Sequence, residues 1–259
     1  MPQYWDDDSV RAQASSGANQ VFDEWASLAS QHLGMTVPLA VASRYDCPNP
    51  YVNQPMGSVN TSTFGIIDGQ KTLIIWLEEF GQPMFTFDEV LISHEVAHRI
   101  LSLKGFCSLG STDPLLVQPG AMLYSLAQHS PLYQMQDSLG INSRSLVDQR
   151  AHDLAANYVN QTVVYGVANP MVDGIIVADD ILHASPALSK ALRYTTLPSV
   201  PTVQHFSELV INIASQFDLH DKSDNEQFLI KAGQEIAPSG KWQIADGLLV
   251  ITQEFASVT

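Results

Sequence analysis

Three residues within a span of five could do chemistry together: His94, Glu95 and His98, in His94-Glu95-Val96-Ala97-His98. On a helix, positions four apart lie on one face, about one turn from each other. Two imidazoles so spaced can bind one Zn²⁺. A glutamate beside the first can then serve as general base on the zinc-bound water. The pattern carries this meaning only on a helix, so the flanking residues decide its value.

Those residues predict a helix over 86–105. Thr86 suits an N-cap, with Glu89 three residues on as the partner of a capping box. Phe85 and Val90 occupy the positions of a hydrophobic staple. Asp88 and Glu89 match the positive helix start, and Arg99 and Lys104 the negative end. Gly105 suits the left-handed residue that closes a helix, with Phe106 folding back on Leu101. Val90, Val96, Ala97, Ile100, Leu101 and Leu103 supply a broad apolar face. An unpaired His and Glu buried on such a helix would be costly, which favours a ligand role over coincidence.

On His94, Glu95 and His98, and on the helical region that follows to about Tyr158, the chain resembles the zincin metallopeptidases. It looks most like the minimal gluzincin-type group that includes the ImmA/IrrE peptidases. The resemblance covers about the middle third of the chain. It implies a zinc-dependent metalloendopeptidase on an α+β fold: a mostly helical zincin-like domain, with a small N-terminal antiparallel or mixed sheet and hairpin packed on the active-site helix. It also implies that a strand beside the cleft pairs with extended substrate.

A catalytic zinc takes three protein ligands and keeps one position open. The gluzincin third ligand is a glutamate on a later helix, yet the next glutamate after Glu95 is Glu208. The metzincin pattern is absent too, with Leu101 and Lys104 where it needs glycine and histidine. Three candidates stand. His129, in LYSLAQHSPLY, falls about where the third ligand is delivered, and imidazole is a good zinc donor. Asp148 begins a run with Ala151, Leu154, Ala155 and Tyr158 that resembles the family's ligand helix with Asp for Glu. Asp113, in GSTDP, has a faint likeness to the aspzincin motif. A helix-end histidine and a first-turn aspartate also arise without any metal. His152 and Asp153 suit either support of a ligand or a wet helix face. Tyr124, Tyr133, Tyr158 and Tyr165 could each donate to an oxyanion.

The 259 residues can bury a large core as one domain, or as one domain plus an extension. A net charge of −15, from 27 acidic and 12 basic residues, argues against nucleic acid or an anionic membrane as principal partner. The expected partner is a peptide or protein substrate. The rival reading is a non-catalytic regulatory or toxin-like binding protein on the same scaffold. The polar start MPQYWDDDSVRAQ has no basic and apolar signal regions, and no apolar run approaches the ~20 residues that cross a bilayer, so a cytoplasmic protein is expected. Cys47 and Cys107 do not form a C-x-x-C pair and are expected as separate thiols.

Along the chain, 1–18 reads as a flexible lead-in, 19–168 as the catalytic domain and 169–259 as a helical extension. Asn19 to Leu33 predicts an amphipathic helix stopped by Gly34, and Val37 to Ser43 a strand. Arg44 to Thr63 predicts a long loop that could line a cleft. Asp68-Gly69 between Phe64–Ile67 and Lys71–Leu77 predicts a type I′ hairpin. Phe106 to Gly120 reads as a loop, Ala121 to Leu139 as a helix broken near Ser130-Pro131, and 143–164 as a further helix. Asn169-Pro170 and Asp173-Gly174 read as turns. Helices follow over 182–194, 203–217 and 225–232. Trp242 to Thr252 fits a hairpin or a buried helix.

Overall fold

The computed structural model describes residues 4–47, 61–77, 87–159 and 169–258. The fold is α+β, with ten α-helices and a small mixed sheet among the described residues. The chain divides into two compact units. One comprises Met1–Lys104, Met135–Ile141 and Leu248–Thr259, and the other Gly105–Gln134 and Asn142–Gly247. These bounds differ from the expected 19–168 and 169–259.

The first unit is built on four strands: β1 (Tyr4–Trp5), β2 (Leu39–Ser43), β3 (Thr61–Ile67) and β4 (Gln70–Leu77), in the order β1-β2-β4-β3. The β2–β4 pair is parallel and the other two are antiparallel. Asp68 and Gly69 have φ of 50° and 80°, the two left-handed residues that a type I′ turn requires. β4 alternates as a strand must. Leu73, Ile75 and Leu77 enter the main core, whereas Ile74 and Trp76 join Ala42 and Cys47 in a second cluster.

Helix α1 (Asp7–Gln13) is capped by Asp6 and helix α2 (Ser16–Leu33) by Ser15. The stretch expected as a flexible lead-in thus carries β1, α1 and the first turn of α2. α2 ends at Gly34 with φ of 75°, as its sequence anticipated. Val21, Phe22, Trp25 and Ala29 line its buried face, and Trp25 Nε1 donates to the Val37 carbonyl at 2.9 Å. Helix α3 (Glu89–Leu103) adds Ile92, Val96, Ile100 and Leu103 to the same core. That stripe leaves His94 and His98 on a different face of α3.

α3 starts later than its sequence suggested. Asp88 caps it, accepting from Leu91 N at 3.0 Å. Glu89 accepts from Ser15 N at 2.8 Å instead of reaching back within its own helix. Phe85, Thr86 and 48–60, the bulk of the anticipated long loop, lie outside the described residues. Gly105, at φ of 83°, follows the helix end.

In the second unit, β5 (Ser108–Ser111) pairs antiparallel with β6 (Trp242–Ala245). The 106–120 stretch is therefore partly strand. Trp242 to Thr252 is neither alternative alone: β6 is followed by helix α10 (Gly247–Ser257), whose Ile251 and Phe255 belong to the first unit's core. Helix α4 (Val117–Ser138) runs unbroken through Pro131. A proline there removes the N–H that would bond the carbonyl four residues back, at Ala127. The buried Asn225 side chain supplies that donor, its Nδ2 reaching Ala127 O at 2.5 Å.

Helix α5 (Ser143–Val159) precedes α6 (Pro170–His183) and α7 (Pro186–Ala191), then α8 (Pro201–Ala214) and α9 (Lys222–Ile236). The turns expected at 169–174 are the start of α6. Asn169 caps it, accepting from Val172 N, and Pro170 takes the first helical position, where its missing N–H costs nothing. Gly174 marks a close approach to α8. A Cβ there would meet Phe206 Cβ at 2.5 Å and Val203 O at 3.0 Å.

Candidate metal centre

On α3, the Nε2 atoms of His94 and His98 converge to 3.1 Å, their rings set at 82°. Two nitrogens bound to one tetrahedral ion at about 2.0–2.1 Å would lie about 3.3 Å apart, so the pair has the bite of a metal chelate. The helix is held there by its cap and by Gln136. Gln136 Nε2, from the end of α4, donates to Val90 O at 2.9 Å and to Ser93 Oγ at 2.8 Å, the residue before His94. Glu95 is buried, and burial pushes its carboxyl up to about 8, against the pull of Arg99. Arg99 also donates to Ser62 of β3 and pairs with Glu254 of α10 at 2.5 Å.

His129 sits mid-helix on α4, 4% exposed. Its Nδ1 lies 2.8 Å from both carboxylate oxygens of Asp179 on α6, and its Nε2 lies 3.2 Å from Ser125 Oγ one turn earlier. His183 Nδ1 approaches the same carboxylate at 2.9 Å, and its Nε2 lies 3.0 Å from Ser130 Oγ. Arg150 of α5 joins Asp179 at 2.6 Å and also bonds Asp180. Burial works against the ionised form of Asp179, yet His129, Arg150 and His183 hold it well below the usual carboxylate range. Burial likewise pushes His129 down, although Asp179 pulls the other way. A neutral imidazole is the form that binds a metal.

Among the described residues, two groups of side chains could hold a metal ion, each with ligand atoms within 4.8 Å of one another: His94, His98 and His129, and His129, Asp179 and His183. In the second group, hydrogen bonds and the Arg150 ion pair explain the close approaches, and the guanidinium opposes another cation beside Asp179. In the first, the side chains offer three imidazole nitrogens. The donor set of three imidazoles suits a transition-metal ion.

The other candidates have different work. Asp148 Oδ1 accepts from Ser185 N at 2.6 Å, at the start of α7, and belongs to neither group. Asp113 Oδ1 accepts from Leu115 N at 2.9 Å in a local turn. His152 and Asp153 are exposed, 3.6 Å from each other. Tyr133 stacks on His129 with ring centroids 5.1 Å apart, and burial first, then Asp179, pushes its phenol well up. Tyr124 is half-buried on α4, while Tyr165 and the Tyr158 side chain lie outside the described residues. Cys47 and Cys107 are buried and are not joined in a disulfide. Burial pushes Cys107 up to about 11, with Glu226 and Asp246 adding to it.

Sequence reasoning missed Arg150, Asp179 and His183. The signal was present in GIIVADDILH: two acids inside an apolar run, and Asp179 and His183 four apart. Reading 169–174 as turns hid the helix that gives this spacing its meaning. No family model, no curated protein and no solved structure matches the chain. Among the described residues, no helix is long and apolar enough to cross a membrane.

Proposed function

We propose that the chain is a zinc-dependent peptide hydrolase of the zincin type, with His94, His98 and His129 as the protein ligands. The observation that carries this reading is the 3.1 Å approach of the His94 and His98 Nε2 atoms on one helix, with Glu95 between them in sequence. Zinc, when bound, supplies Lewis-acid polarisation of a carbonyl and acidity to a coordinated water.

Glu95 is the proton carrier. Burial raises its carboxyl to about 8, and a divalent ion bound beside it would favour the ionised form. It takes a proton from the attacking water and passes it to the leaving amine nitrogen. Among the described residues β3 is an edge strand of the sheet, which supports binding of an extended peptide by main-chain pairing.

Digestion of a peptide library tests this. Cleavage should stop with a chelator and return with added zinc. Glu95→Gln should keep its zinc, since Glu95 is no ligand, and cut at least about 10²-fold more slowly. A zinc-loaded wild type that cuts no peptide, or a Glu95→Gln variant as active as wild type, contradicts the reading.

A further inference from the structure

We propose that Asp179, clamped by Arg150 and His183, fixes His129 as the Nδ1–H tautomer, presenting its Nε2 lone pair as a metal donor for which Ser125 competes. The tautomer stands on the geometry of His129 and Asp179, and the donor role of Nε2 rests on the reading above.

A carboxylate accepts and does not donate, so the ring atom 2.8 Å from both oxygens of Asp179 carries the proton. A neutral imidazole holds one N–H, which leaves Nε2 with its lone pair. The choice depends on Asp179 staying in place. Arg150 bonds it at 2.6 Å while also bonding Asp180, and His183 Nδ1 donates to both its Oδ1 and its main-chain carbonyl. Asp179 therefore cannot turn away from His129 without giving up a guanidinium contact and a second imidazole N–H. A carboxylate behind a ligating histidine orients the ring and raises its donor strength.

Ser125 faces the other ring nitrogen. Its Oγ lies 3.2 Å from His129 Nε2, and with that nitrogen unprotonated the hydroxyl is the donor. A metal at Nε2 must displace this hydrogen bond. Asp179 and Ser125 thus act on the same ring with opposite consequences. Asp179 is a positioning residue that favours metal binding, and Ser125 opposes it.

Long-range ¹⁵N–¹H NMR of the histidine rings in the full, metal-free chain should find His129 protonated on Nδ1. Finding the proton on Nε2 would overturn the proposal, and this readout needs no variant. Zinc affinity is read separately, by competition with a chromophoric chelator. Asp179→Asn should weaken it about 10- to 100-fold. Ser125→Ala should strengthen it about 2- to 10-fold, the worth of one ordinary hydrogen bond. Two substitutions moving affinity in the same direction would contradict the proposal. If the wild type bound no zinc, the donor role of Nε2 would fall with the peptidase reading, while the Nδ1–H tautomer would stand or fall on the NMR readout alone.

Discussion

Glu95 and Asp179 are both buried carboxylates beside histidines, and their surroundings treat them in opposite ways. Around Glu95, dryness wins: Arg99 pulls the other way, and the carboxyl still rises to about 8. Around Asp179, burial is outweighed by His129, Arg150 and His183, and the group stays ionised. The difference is one of partners, since both side chains are nearly inaccessible. A carboxylate saturated with donors cannot exchange protons near neutrality and serves to hold other groups. One whose charge is barely compensated can be tuned by an incoming cation, which suits a proton carrier.

Arg150→Ala should be the most damaging substitution around Asp179. Asp179 and Asp180 would lose their shared guanidinium and remain as buried acids, at a cost of about 3–5 kcal/mol, read from urea unfolding. A loss under about 1 kcal/mol, as for a surface pair, would show that the network is not holding Asp179.

Acidity sharpens the contrast between Glu95 and Asp179 next. For Glu95 the folded state favours the protonated form, so its contribution to stability is full below about 4 and is lost as pH rises through about 8. For Asp179 the sign reverses: its contribution is present above about 4 and is lost as pH falls. Metal-free protein should therefore lose stability on both sides. Glu95→Gln should flatten the alkaline limb and leave the acid limb in place. Urea midpoints measured from about pH 3 to about pH 9 check this; an unchanged alkaline limb would deny the raised Glu95.

A smaller effect is expected from Asn225→Ala. It would return the Ala127 carbonyl to the unbonded state that Pro131 creates, costing about 1–3 kcal/mol of stability. Pro131→Ala in the same background should recover part of that loss, because the helix then supplies its own donor.

Much of the first unit was legible because its signals are local. The Asp68-Gly69 turn, the alternation of Leu73 to Leu77 and the Gly34 stop each need only a few neighbouring residues. The approach of His94 and His98 follows from helical spacing once α3 forms. The start of α3 was read too early because Thr86 and Asp88 offer the same capping chemistry, and position alone does not rank them. Elsewhere the deciding partner is far away in sequence. Pro131 looks like a break until Asn225, 98 residues from Ala127, replaces its donor. Asp173-Gly174 has the composition of a turn, and only the approach of Phe206 explains a glycine inside a helix. The spacing of His129 was readable. Its fixed ring was not, because Asp179 lies 50 residues on, in a helix whose opening resembles two turns.

The proposed metal site takes the imidazoles of His94, His98 and His129. Crystals of the zinc-loaded protein, measured at the zinc absorption edge, test it most directly. One anomalous peak is expected about 2.0–2.1 Å from Nε2 of His94, His98 and His129. A peak bound instead to Asp179 and His183, or no peak beside His94 and His98, would contradict it.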